Sequence, residues 1–221
     1  MLVPRRILSA LSEITERGSG MRYALQGVLF KRISKAKCQA AATDGRILVS
    51  VDFDETRDMV IPGIGADEKK VKDFSTIIGG DQCRMLAAVA SPSKLRAKKT
   101  PETALVKIDE ASANGVVSVS ASNIDVQATT VVSAIEGRFP KTSDVIPHYE
   151  IIDKPDSGIR AVSIPLNGEY LRKLAEAVTK CAAADNNKVT LIVPVASDQP
   201  ILLSSESEGV KVVGALMPLS E

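Results

Sequence analysis

Aromatic side chains are scarce in this 221-residue chain: they fill 3% of positions, and there is no Trp. Its core must therefore come from Val, Ile, Leu and Ala, within a hydrophobic content of 44%. Histidine is rarer still, with His148 alone, which removes histidine metal clusters and most Ser-His or Cys-His triads. No CxxC, HExxH, GxSxG or phosphate-loop pattern occurs. The cysteines, Cys38, Cys83 and Cys181, are far apart and odd in number, which argues against a disulfide framework and fits a reducing cytoplasm. Excess charge is lacking too, with 28 Lys+Arg against 27 Asp+Glu. A protein gripping nucleic acid with such a balance must sort its positive charge onto one face. No apolar window is long enough to cross a bilayer. The N-terminal apolar run is interrupted by Ser9, Ser12 and Glu13, so it does not read as a signal peptide. A soluble cytoplasmic protein is expected.

What is present is a repeated order of elements. Over residues 4–17, Ile7, Leu8, Leu11 and Ile14 recur at helical spacing, with Pro4 suited to the first turn and Gly18 to the stop. Strand-like runs follow at 21–30, 38–43 and 46–53, the last two joined by the turn pair Asp44-Gly45. The order returns with a short strand at 74–78 and a helix at 82–90, capped by Asp81 and packed through Met85, Leu86 and Val89. A basic loop (91–100) and three strands at 103–109, 116–121 and 125–134 complete that copy. Val60 and Ile61 could add one further short strand. A third copy has a strand at 161–164, then a helix from Gly168 to Ala183 with Asn167 as its cap. Leu171, Leu174, Ala175 and Val178 form the apolar face of that helix. Strands at 189–195, 200–204 and 210–217 close it. Hairpin-linked strands with segregated helices indicate an α+β fold of three strand–helix–strands units. Residues 135–147 (IEGRFPKTSDVIP) link the second unit to the third, with Phe139 as an apolar anchor and two prolines ending ladder pairing.

Candidates for chemistry are few. Asp52, Asp54 and Glu55 form the tightest carboxylate group; positions 52 and 54 share one strand face and could hold a divalent cation, although a solvated strand end explains them more simply. A metal-dependent hydrolase around them is the weakest functional class. Cys83, on a helix, reads as a small core residue rather than a nucleophile. The basic residues are more suggestive. Arg5 and Arg6 sit on the first helix, Arg84 on the second with Lys94, Arg96, Lys98 and Lys99 after it, and Arg172, Lys173 and Lys180 on the third. Side by side, the helices would carry either a stripe for phosphates or ordinary solvated faces.

Four stretches, in order, carry a family resemblance: RYALQGVLF (22–30), AATDGRILV (41–49), EGRFPKTSDVIP (136–147) and ALMPLSE (215–221). Together they resemble the middle and last domains of the bacterial DNA polymerase III beta sliding clamps. The resemblance implies a DNA-clamp-like fold whose helices face a DNA hole, with residues 1–147 as a two-unit domain and 148–221 as a linker plus a single unit. It implies a non-enzymatic processivity scaffold without cofactor or metal, holding double-stranded DNA without regard to sequence. Polymerase or repair proteins would dock by a short hydrophobic motif. By position the peptide pocket would comprise Leu25, Thr43, Gly45, Leu48, Pro147, Met217 and Pro218, walled by Arg46 and Ile47. The family usually has His-Arg after the TDG, where this chain has Arg46-Ile47. An alternative is a stand-alone peptide-binding module or regulator that encircles nothing.

The family's bacterial members carry six units per chain and this chain has three, which leaves the third without a partner unit. The expectation is a homo-oligomer, dimer or tetramer, in which lone third units pair across a twofold axis through Leu171, Leu174 and Val178.

Overall fold

The computed structural model describes residues 1–15, 23–34, 37–55, 74–91, 105–109, 115–122, 127–146, 165–182, 188–194, 199–207 and 209–219. The first unit is β1 (Leu2–Pro4), α1 (Arg5–Ser12), a 3-10 turn (Tyr23–Gln26), β2 (Gly27–Arg32), β3 (Lys37–Thr43) and β4 (Ile47–Asp54). The second is β5 (Ser75–Gly79), α2 (Gly80–Val89), β6 (Leu105–Ile108), β7 (Val116–Ser122) and β8 (Gln127–Ser133). After a single turn, α3 (Thr142–Val145), come α4 (Gly168–Ala182), β9 (Thr190–Ile192), β10 (Ile201–Ser207) and β11 (Val210–Leu216).

All pairing is antiparallel. A four-stranded sheet runs β1-β6-β7-β8 and a seven-stranded sheet runs β5-β2-β3-β4-β11-β10-β9. The first two units therefore exchange their leading strands: β1 joins the strands of the second unit, and β5 those of the first. Glu55 ties this exchange, accepting a hydrogen bond from Leu2 N at 3.0 Å and pairing with Arg32 at 2.6 Å.

Alternation along the strands divides each sheet into two faces. On β4, Ile47, Val49, Val51 and Phe53 enter the main core, while Leu48, Ser50, Asp52 and Asp54 face the other way. The core face is covered by helices: α1 packs against α2 on one side and α4 on the other. Ile7, Leu8, Leu11 and Ile14 of the first helical segment are all buried, as the spacing requires. On the opposite face the connector lies against the sheet, where Phe139, Ala41 and Ile77 form a small separate cluster with Ala24, Leu29 and Ile135. Phe139 thus anchors the connector to a sheet surface, as expected of an apolar residue after a charge.

Several expectations are corrected. Residues 2–4 form a strand and the helix runs only from Arg5 to Ser12, with Pro4 just outside it. Residues 23–26 form a 3-10 turn before β2 begins at Gly27. Helix α2 starts at Gly80; Gln82 Oε1 accepts from Gly79 N at 3.1 Å, and Asp81 pairs with Arg84 instead of capping. Met85 is exposed, because Cys83, Leu86 and Ala87 take the buried face. The suggested strand at Val60 and Ile61 and the one at 161–164 lie outside the described residues.

The largest correction concerns the third unit, which has partners within the chain. β11 pairs with β4 over six positions, from Lys211↔Asp52 to Leu216↔Ile47. α4 packs on β11, β10, β4 and α1. Leu174 and Val178 are fully buried there and Leu171 is half-buried, so they do not form a free face for a second copy. Gly214 makes the close packing possible: a Cβ at that position would lie 2.3 Å from Leu174 Cδ1.

Candidate peptide pocket and basic helix face

The hairpin between β3 and β4 is held by its own side chains. Asp44 Oδ1 accepts from Arg46 N and Ile47 N, each at 2.9 Å, in the local bonding typical of turn aspartates. Thr43 Oγ1 donates to the Ile47 carbonyl at 2.7 Å and accepts from Gly45 N at 3.0 Å. Gly45 has φ +89°, a conformation that a Cβ opposes, and Leu25 packs beside the turn.

On the face away from the helices, Leu48 sits opposite Thr43 on one side and Ala215 on the other. The same β4–β11 register carries Met217 to the level of Arg46. Leu25 and Leu48 are closed off at 7% and 2% exposure, whereas Met217 is 47% exposed and Leu219 50%. Leu25 and Leu48 are buried outside the main core, and Met217 and Leu219 are the exposed apolar side chains that follow β11. Pro218, between them, is half-buried. Of the expected pocket residues, strand pairing and the turn bring Leu25, Thr43, Gly45 and Leu48 together, and the register carries Met217 and Pro218 beside them; the Arg46 side chain turns to α4, and Pro147 lies outside the described residues.

A groove of roughly 540 Å³ runs from the same turn along α1 and α4, lined among others by Glu13, Asp44, Arg46, Tyr170, Lys173 and Glu176. Arg46 crosses to α4: it donates to the Tyr170 hydroxyl and holds its guanidinium carbon 5.5 Å from the ring centroid. Lys173 Nζ lies 5.8 Å from the same ring. Tyr170 is placed by Asn167, whose Oδ1 accepts from Glu169 N at 2.9 Å and Tyr170 N at 3.3 Å, so the expected cap is the observed one. Tyr170 escaped the sequence reading, because nothing local indicates that the first turn of α4 abuts a hairpin 124 residues earlier.

The three helices do lie side by side with α1 in the middle, but their cations differ. Arg5 donates through Nε to the Ala87 carbonyl at 2.7 Å, and Arg84 donates to the Ser12 carbonyl and the Asp81 carboxylate. These two close the C-terminal ends of each other's helices, where carbonyls lack intrahelical donors. Arg6 is half-buried. On α4 the cations are exposed and matched by its own glutamates: Arg172–Glu176 at 2.6 Å, Lys173–Glu169 at 3.3 Å and Lys180–Glu176 at 4.0 Å. Lys94, Arg96, Lys98 and Lys99 lie outside the described residues.

Asp52 accepts from Gln39 Nε2 at 3.0 Å and Glu55 serves the strand exchange. Among the described residues no cluster of three or more His, Cys, Asp and Glu side chains could hold a metal. Burial pushes the Cys83 thiol up to about 12, and burial with nearby Glu55 pushes Cys38 up to about 11, so both stay protonated at neutral pH. No described helix is long and apolar enough to cross a membrane.

No protein-family model matches the chain, and no curated protein matches it. Solved structures do. A Helicobacter pylori beta clamp in complex with carprofen superposes with TM-score 0.64 at 14% identity, covering 98% of this chain and 64% of the clamp. A sliding clamp (DNA polymerase III subunit beta) from Bartonella birtlesii bound to griselimycin gives 0.63 at 14% identity, over 100% and 66%. An H. pylori beta clamp bound to a DNA ligase peptide gives 0.60 at 12% identity, over 98% and 63%. The chain thus has the fold of the DNA polymerase III beta sliding clamps, and it spans about 64% of the length of the H. pylori clamp.

Proposed function

We propose that this chain is a non-enzymatic, cytoplasmic, clamp-like scaffold that docks polymerase or repair proteins through a short hydrophobic peptide. The docking corner is the one formed by Leu25, Thr43, Gly45, Arg46, Leu48, Met217 and Pro218. The observation that carries the proposal is that the β3–β4 turn and the β4–β11 register bring residues from three distant stretches together, with Met217 and Leu219 exposed. The clamp that carries a DNA ligase peptide, similar in fold, supports a peptide as ligand. Residues 1–147 act as the two-unit body and 148–221 as the third unit. Affinity is modest, since ordering the peptide offsets much of the apolar gain. In fluorescence anisotropy with a hydrophobic clamp-motif peptide, Met217→Ala and Leu48→Ala each weaken binding by roughly 1–3 kcal/mol. Unchanged binding in both variants rules the pocket out.

Double-stranded DNA is the second proposed partner, met by the helix layer, and magnitudes select which cations contribute. Freeing Arg172, Lys173 or Lys180 from an exposed i,i+4 pair costs only about 0.3–0.5 kcal/mol. Stripping Arg5 or Arg84 from helix-end carbonyls costs about 1–3 kcal/mol. The α4 face is therefore the one that phosphates can recruit. A second reading, a peptide-binding module that encircles nothing, is favoured by the glutamates that pair with the cations of α4. Retention on nicked circular DNA with loss on linearisation establishes encirclement; no retention in either form favours the module.

A further inference from the structure

We infer that the groove beneath the connector, on the outer face of the seven-stranded sheet, docks an acidic, extended segment of a partner protein. The groove is lined by none of the residues of the Met217 corner. The inference rests on neither hydrophobic-peptide nor DNA binding.

The groove, of roughly 560 Å³, lies where the connector crosses β2, β3 and β5. Strand pairing builds two rows across it. Leu29 stands between Ile77 of β5 and Ala41 of β3, and the next row sets Lys31 between Ser75 and Gln39. Phe139 packs on Ala41 and Ile77, which makes the first row apolar and fixes the connector above it. The residues on either side of the Phe139-Pro140 pair, Arg138 and Lys141, are thereby brought to the groove that Lys31 lines from the sheet. All three cations are exposed.

The charge of this groove is one-sided. Three cations line it, and among the described residues no carboxylate does. Asp52, opposite Gln39 in the register, accepts from Gln39 Nε2 at 3.0 Å, Asp144 accepts from the Ser143 hydroxyl at 3.3 Å, and Glu136 lies on the connector outside the lining. The helix-side groove is the contrast, since Lys173 and Lys180 there face Glu169 and Glu176. Negative charge at the connector groove must therefore come from a partner, and complementarity of this kind sets which partner docks. Arg138 and Lys141 stand three residues apart and Lys31 on a separate strand, a spread that suits several single carboxylates along a chain better than one phosphate. The apolar row takes an aliphatic side chain between them. Nucleic acid would need a stacking surface, and the aromatic ring in the lining, Phe139, is only 8% exposed.

Fluorescence anisotropy of the full chain with a labelled peptide of repeated Glu-Leu-Asp triplets should show saturable binding that weakens with salt. The neutral analogue built from Gln-Leu-Asn triplets should bind at least roughly tenfold more weakly. Lys31→Glu combined with Arg138→Glu, both at exposed positions, should raise the dissociation constant of the acidic peptide at least roughly tenfold. Lys188→Glu, an exposed reversal outside the groove, should change it less than about twofold. A benzophenone in place of a central Leu of the peptide should cross-link to residues 137–143. No saturable binding, an equal loss from Lys188→Glu, or cross-linking confined to the helix layer overturns the inference. So does displacement by inorganic phosphate or a DNA duplex as readily as by unlabelled peptide, which would assign the groove to phosphate. Hydrophobic-peptide or DNA binding elsewhere can fail without touching these readouts.

Discussion

The arginines of α1 and α2 and the cations of α4 occupy one helix layer but act in different ways. Arg5 and Arg84 fasten helix ends to each other, so their positive charge is directed inward at carbonyls. Arg172, Lys173 and Lys180 stand on the surface against carboxylates one turn away, in pairs that exchange readily with solvent. A basic residue on a helix is thus a structural tie or an available charge according to what its neighbouring helix end lacks. Residue type and helical spacing alone do not separate the two.

The contrast can be tested from its foundation. Leu174→Ala opens a cavity where α4 meets β11 and should cost about 2–5 kcal/mol in urea unfolding. If the third unit is docked as firmly as the first two are to each other, the loss appears in one cooperative transition. A separate early transition would show that α4 is held apart from α1. Arg84→Ala, which removes the charged donor to the Ser12 carbonyl and leaves it only the Thr15 hydroxyl, should cost about 1–3 kcal/mol and leave DNA affinity unchanged.

Alkaline stability follows from the buried thiols of the layers beneath. The folded-state values of Cys83 and Cys38 lie above the ordinary thiol value of 9.0, near 12 and 11. The unfolded chain thus releases these protons first, and stability present below pH 9 is lost as pH rises towards those folded values. By pH 10 the loss should approach roughly 1.4 kcal/mol per thiol, measured by urea midpoints across the range. The smallest effect belongs to the surface. Arg172→Ala should change stability by less than about 0.5 kcal/mol. If α4 meets phosphates, it should also lower the salt dependence of DNA binding by about one counterion. An equal change from Arg84→Ala would erase the distinction between the two helix groups.

Much of the architecture was legible because strong local signals agreed with the final packing. Ile7, Leu8, Leu11 and Ile14 had helical spacing and are buried. The Asp44-Gly45 turn had its chemistry in the residues themselves, and Asn167 caps where a cap was expected. β1 was missed because three residues before a helix are too few to show alternation; its existence depends on β6, about a hundred residues later. Met85 was misplaced because Cys83 and Ala87 are small and give little periodic signal, yet they take the buried face. The docking of the third unit was illegible for the same reason as β1. No pattern in residues 210–216 names β4 as a partner rather than a second chain. The glutamates opposing Arg172, Lys173 and Lys180 stand at i,i+4 spacing, a pattern of a solvated helix face as well as of a basic stripe.

The pairing of β11 with β4 also has a consequence for synthesis. Strands that are neighbours in the sheet are separated by some 160 positions along the chain, as Lys211↔Asp52 illustrates. During translation at roughly 5–20 residues per second, β4 emerges well before β11 exists to cover it. For that interval the nascent protein exposes the β4 edge from Ile47 to Asp52 and a core face that awaits α4. Contacts of such long sequence separation form late and slowly. Ribosome-bound chains stopped before residue 210 should therefore bind a holdase chaperone that releases once the final strand has been made, and a full-length chain with Val212→Pro should remain bound to it.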